Sequence, residues 1–205
     1  MARRRFTPQV TIMILLGMIL LGCWACSGPG PIVVNGNVDG NQRAASPAIA
    51  GELRFNVPAG WVSERQTSQM RFAQYKLPHV DQDGEDASLV VYYFGAGQGG
   101  STQANLDRWI AQMQQPDGSD SKVKAKTQTV TVNALAVTTL DVGGTYTAEM
   151  TPGAGNKQDK SGYRLRAAVV ETPKGPYFVK LVGPSATMAR WDQSFAAFVN
   201  SFEFK

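Results

Sequence analysis

The stretch from Ala87 to Met113 reads A-S-L-V-V-Y-Y-F-G-A-G-Q-G-G-S-T-Q-A-N-L-D-R-W-I-A-Q-M, and it decides the fold. Ala87 to Phe94 is apolar on both faces, which predicts a central strand covered on both sides. Gly95 to Gly100 is a glycine loop. Ser101 or Thr102 then supplies a helix N-cap. Leu106, Trp109, Ile110 and Met113 fall at i, i+3, i+4 and i+7, one face of a helix. Pro116-Asp117-Gly118 ends it.

Working outward, Leu53, Phe55 and Val57 alternate as a strand does, up to Pro58-Ala59-Gly60 before Trp61. Met70 to Leu77 predicts a second strand, stopped by Pro78. On the carboxyl side, Val123 to Val132 reads as a strand with Lys122, Lys124 and Lys126 on its wet face. Asn133 turns the chain into a strand from Leu135 to Val142, which Gly143-Gly144 closes or bulges. Thr145 to Gly162 reads as a long loop. Tyr163 to Thr172 and Pro176 to Val182 form a hairpin across Pro173-Lys174-Gly175. A second helix starts at Pro184-Ser185, with Met188, Trp191, Phe195, Phe198 and Val199 as its apolar stripe, and Ser201 to Phe204 is a short final piece. Short turns between neighbouring strands imply antiparallel pairing. The fold class is therefore α+β, a largely antiparallel sheet of about six strands with two packed helices in an αβα-type sandwich.

The chain has 205 residues, 43% hydrophobic and 18% charged, which excludes a disordered chain, a coiled coil and a polytopic membrane protein. Two Cys and one His argue against a disulfide scaffold and a protein zinc cage. No cofactor is expected. Setting aside Arg3, Arg4 and Arg5 leaves 17 basic against 16 acidic residues, so charge gives no reason to expect nucleic acid as a partner.

Those three arginines open a secretory signal. An apolar run from Val10 to Leu21 follows, about twelve residues, where a spanning helix needs roughly 20. The run ends Leu20-Leu21-Gly22-Cys23, which resembles the lipobox of bacterial lipoproteins. The resemblance implies a cut after Gly22 and acylation of Cys23. It also implies a bacterial envelope location on the periplasmic face, with the outer membrane favoured because Trp24 stands where an Asp is associated with inner-membrane retention. The other reading is an ordinary signal peptide cut near Ala25. Cys23 and Cys26 spell C-x-x-C, but a redox pair needs a folded site that lowers one thiol's pKa. Residues 23–50 then read as a Gly-, Pro-, Asn- and Ser-rich tether reaching roughly 25 to 30 Å, and residues 51–205 as one domain.

The glycine loop fits G-x-G-x-x-G between a strand and a helix. Antiparallel neighbours, the lack of a ribose-holding acid and export all count against a nucleotide. Two readings stay open: an anion or partner site at the helix start, built from Gly95, Gly97, Gly99, Gly100, Ser101 and Arg108, or a plain turn needing positive φ. His79 follows Pro78 beside the acids Asp81, Asp83, Glu85 and Asp86. It would need a nucleophile and an orienting acid, and nothing marks a partner Ser. D-Q-D-G-E-D lacks the ligand spacing of a calcium loop. Arg164 and Arg166, with Lys180 on the neighbouring strand, are candidates for a basic patch. Trp109 and Trp191 lie in apolar stripes and read as core.

Phe55-x-Val57-Pro58-x-Gly60-Trp61, the central hairpin, the late helix and Ser201-Phe202 resemble the fold family shared by the photosystem extrinsic protein PsbP and the nuclear-import factor Mog. The resemblance implies a binding or accessory module rather than an enzyme, and it carries over no catalytic residue. The expectation is thus a lipid-anchored envelope module that binds a protein partner or small ligand, near the glycine loop and the long loop. The rival is an envelope hydrolase using His79 or the acidic loop 81–86.

Overall fold

The computed structural model describes residues 52–148 and 159–205. The signal, Cys23 and the tether lie outside the described residues, as does most of the segment between Thr145 and Gly162. The elements in order are β1 (Leu53–Arg54), β2 (Val62–Ser63), β3 (Arg71–Leu77), β4 (Ala87–Tyr93), α1 (Thr102–Ile110), β5 (Met113–Gln114), α2 (Ser121–Lys124), β6 (Lys126–Val132), β7 (Leu135–Tyr146), β8 (Lys160–Val170), β9 (Tyr177–Pro184), α3 (Ser185–Arg190), α4 (Asp192–Asn200) and β10 (Glu203–Phe204).

The fold is α+β. One sheet runs β2-β3-β4-β9-β8-β7, and β7 carries both β6 and β5 on its far side. Every described strand pair is antiparallel. Six strands are long. The other four are two-residue pieces, among them β1 and β10, which form a separate ribbon.

Register sorts the core into two layers. Leu89 and Val91 of β4, Val179 and Leu181 of β9 and Ala168 and Val170 of β8 share one face, packed by Met188, Phe195 and Phe198 of α3 and α4. Leu140, Val142, Leu165, Ala167 and Val169 share the other with Phe178, packed by Leu106, Trp109 and Ile110 of α1. Trp109 and Trp191 are core residues, and so is Trp61.

Several elements differ from the sequence expectation for identifiable reasons. The alternation Leu53–Val57 yields only β1, because its partner is the two-residue C-terminal strand. Lys122 and Lys124 lie on α2, a single helical turn capped by the Asp120 side chain on the Lys122 N–H, and not on a strand face. Met113 leaves α1 and pairs with Tyr146 through β5. Gly143-Gly144 does not close β7, which runs on through a register shift to Tyr146. β8 begins at Lys160, so the loop expected from Thr145 to Gly162 is shorter. The late helix is two helices, broken at Trp191 with φ −98° and ψ 8°. The Trp191 indole N–H donates to the Pro78 carbonyl at 2.9 Å, which holds the break. The expected turn at Asn133 is a two-residue hairpin, with Asn133 and Ala134 at φ 46° and 66°.

The most consequential difference concerns β4. Its first face is buried, but Ser88 is exposed and Tyr92 half-buried on the second. The apolar face of α1 packs with residues of β7, β8 and β9, and of β3 and β4 it is Tyr92 that reaches this layer. The second face there is the wall of a cleft.

Candidate functional site

The glycine loop places Gly95, Gly97, Gly99 and Gly100 all at positive φ. Their roles differ. A Cβ at Gly97 would meet nothing, whereas one at Gly99 would come within 2.6 Å of Phe178 and 2.8 Å of Phe94. Gly99 therefore lets the loop close onto the core. The loop is fastened by Asn105, which is 2% exposed and donates to the carbonyls of Gly99 and Ser101, both at 2.9 Å. Arg108 donates in turn to the Asn105 side-chain oxygen. Ser101 caps α1 by accepting from the Ala104 N–H at 3.2 Å. The Thr102 hydroxyl donates to the Glu171 carboxylate, so this helix start already has an acid beside it. A phosphate resting there would meet that charge.

Arg108 also faces the cleft. One part of it, about 190 Å³, is lined by Tyr92, Phe94, Asn105, Arg108, Trp109, Gln112, Phe178 and Lys180. A second part, about 350 Å³, shares Tyr92 and Lys180 and adds Arg71, Ser88, Glu85, Asp86, Tyr146, Lys160 and Tyr163. Lys180 stands where the two meet. Its ammonium donates to the Gln112 side-chain oxygen and to the Tyr146 hydroxyl, and it lies 5.2 Å from the Tyr146 ring centroid. Burial lowers its pKa from 10.5 to about 8, and the charge of Arg108 adds to the effect. Arg71 donates to Gln74 at 2.7 Å and lies 5.8 Å from the Tyr92 ring centroid. Among the described residues, none of Arg71, Arg108 and Lys180 has a carboxylate partner. Burial raises the Tyr146 phenol, with Tyr92 adding to it.

The far end of the cleft is charged in a different way. Glu85 accepts from Lys160 and from the Tyr163 hydroxyl, and these bonds hold its carboxyl below its usual range. Burial first, and then this bond to Glu85, pushes the Tyr163 phenol well up.

The residues singled out in the acidic loop serve different partners. Asp86 accepts from both the ring Nδ1, at 2.7 Å, and the backbone N–H of His79, at 3.0 Å, which lowers its pKa. Asp83 accepts from the Thr187 N–H and hydroxyl at 2.7 and 2.6 Å. Thr187, in turn, accepts from the Val80 N–H at 3.2 Å. These carboxylates point to three separate places. Among the described residues no three His, Cys, Asp or Glu side chains gather into a metal-holding group.

The basic patch expected of Arg164, Arg166 and Lys180 does not form. Ala167 is opposite Lys180 in register, so Arg164 and Arg166 point to the other sheet face. There Arg164 bonds Asp141 and Asp192, and Arg166 bonds Asp192 at 2.8 Å. The pattern had a usable signal for the residue that matters: Lys180 interrupts the apolar run Tyr177-Phe-Val-Lys-Leu-Val182 in a central strand.

No family model matches the chain, and no curated protein matches its sequence. Solved structures do resemble it. A protein of unknown function from Pseudomonas aeruginosa, PA94, superposes with TM-score 0.41 at 15% identity, covering 68% of this chain and 94% of its own. LpqN, involved in cell envelope biogenesis of Mycobacterium tuberculosis, gives TM-score 0.48 at 9% identity, covering 76% and 84%. The cyanobacterial PsbP, CyanoP, from Synechocystis sp. PCC 6803, gives 0.43 at 11%, covering 79% and 98%.

Proposed function

We propose that this chain is an exported protein held at the bacterial envelope by a lipid on Cys23, on the periplasmic face and with the outer membrane favoured. It acts there as a non-enzymatic binding or accessory module. The binding reading rests on one observation: Arg71 and Lys180 of the sheet and Arg108 of α1 line the two adjoining parts of one cleft, and among the described residues they bond only neutral side chains. A half-buried ammonium without a counter-charge costs stability, so its presence in a cleft points to a ligand that supplies the charge. The glycine loop and Ser101 connect to Arg108 through Asn105, which donates to the Gly99 and Ser101 carbonyls and accepts from Arg108.

Two measurements test this. Mass spectrometry of the mature protein should find an acyl-modified Cys23, and Cys23→Ser should leave the chain unprocessed or soluble; a free mature terminus elsewhere overturns the anchor. Cross-linking capture from native membranes should be weakened by Arg108→Ala at nearly unchanged melting temperature, and by Gly97→Val, whose Cβ would point into open space. Capture that neither substitution alters overturns the binding site.

A further inference from the structure

The two parts of the cleft differ in charge, and the difference limits what can fill them. In the smaller part Arg108 and Lys180 face the same space, and among the described residues no carboxylate lines it. An acidic group fits there, because it would restore the charge balance that burial denies Lys180. The larger part is polar in another sense. Beyond Lys180 its wall carries the Ser88 hydroxyl, the phenols of Tyr92, Tyr146 and Tyr163, the carboxylates of Glu85 and Asp86, and the cations Arg71 and Lys160, the latter already paired with Glu85. Each of these carboxylates has one oxygen engaged by a neighbour, Glu85 through Oε2 and Asp86 through Oδ1. An apolar body lying there would strip water from both carboxylates and give nothing back. A body bearing hydroxyl donors would keep their hydrogen bonds.

We propose that the cleft binds a small polyhydroxylated acid, a sugar carrying a phosphate or carboxylate, with the acid between Arg108 and Lys180 and the hydroxyls toward Ser88, Glu85 and Asp86. This rests on the binding reading above and gives that site a ligand class. Arg108 and Lys180 set affinity for the acid. Ser88 and the two carboxylates distinguish a sugar from a bare anion.

Isothermal titration of the full-length chain at pH 7 and low salt tests it with glucose 1-phosphate and glucuronate. Glucose, inorganic phosphate and phenyl phosphate are the comparison ligands. The expected result is saturable binding of at least one sugar acid, at least tenfold tighter than any comparison ligand. Lys180→Met and Arg108→Gln should each weaken it tenfold or more, while Ser88→Ala should lower the sugar acid's advantage over inorganic phosphate severalfold. Oligogalacturonate binding at least tenfold tighter than galacturonate overturns a small ligand in favour of a polymer, and equal binding supports the free acid. Phosphate or phenyl phosphate binding as tightly as the sugar acids overturns the proposal, as does binding unchanged in both cation variants. If no acid binds but Arg108→Ala still abolishes capture from membranes, the ligand class falls and the binding site stands; if both are negative, both fall.

Discussion

Lys180 has a proton affinity that differs between the folded and unfolded chain, and this makes stability depend on pH. Its folded pKa is about 8, against an ordinary 10.5, because burial disfavours the charged amine. Between those values the unfolded chain holds more protons, so stability rises as pH rises from 8 toward 10.5. Below pH 8 the full penalty is present. Lys180→Met should therefore stabilise the empty protein at pH 7 by roughly 1–3 kcal/mol, with the gain shrinking toward pH 10.5. Melting curves across that range check it, and a pH-independent difference would contradict the assignment. At the glycine loop the two central glycines should separate. Gly99→Val drives a side chain into Phe94 and Phe178 and should cost well over 2 kcal/mol. Gly97→Val meets open space, and its cost is that of positive φ alone, about 1 kcal/mol. Urea denaturation of the pair measures the difference.

At the scale of elements, the acidic loop and the late helices depend on each other. Helix α3 has no side-chain cap from its own preceding residue, Pro184. Asp83, in the loop between β3 and β4, supplies one, accepting the Thr187 N–H and hydroxyl. Asp83→Ala should destabilise the protein by about 1–2 kcal/mol, more than a surface Asp81→Ala, and hydrogen exchange should show the loss at the Thr187 amide. An equal effect of the two substitutions would remove the cap. The helix break at Trp191 has a comparable logic. It puts Asp192 in the first turn of α4, where its carboxylate suits the helix dipole and meets both Arg164 and Arg166.

Across the whole molecule, the two ends of the described domain meet. Leu53 and Arg54 pair with Phe204 and Glu203. Phe202 is fully buried between them, edge-on to Phe198 at 5.0 Å and to Phe55 at 6.2 Å, and its carbonyl accepts from Asn133 at 2.9 Å. Phe202→Ala should cost about 3–5 kcal/mol, in line with emptying a large aromatic site. Equilibrium unfolding checks this, and a loss under 1 kcal/mol would mean that the ends close without it.

The sequence determined what depends on near neighbours. Apolar runs bounded by Pro, Gly and Asn placed the six long strands, the i, i+3, i+4 stripe placed α1, and Asn133 marked the tight hairpin, because composition, period and turn chemistry are written within a few residues. Lys180 interrupts an apolar strand in the sequence, but without register it reads as one member of a basic patch with Arg164 and Arg166. Tertiary structure alone decided which face each strand residue takes relative to another strand. A single step of register sends Arg164 and Arg166 to α4 and Lys180 to the cleft. Where α1 packs is likewise a tertiary matter, and its placement leaves Ser88 and Tyr92 of β4 lining a cleft. The cleft exists because these distant choices coincide, and no local pattern in the chain records them.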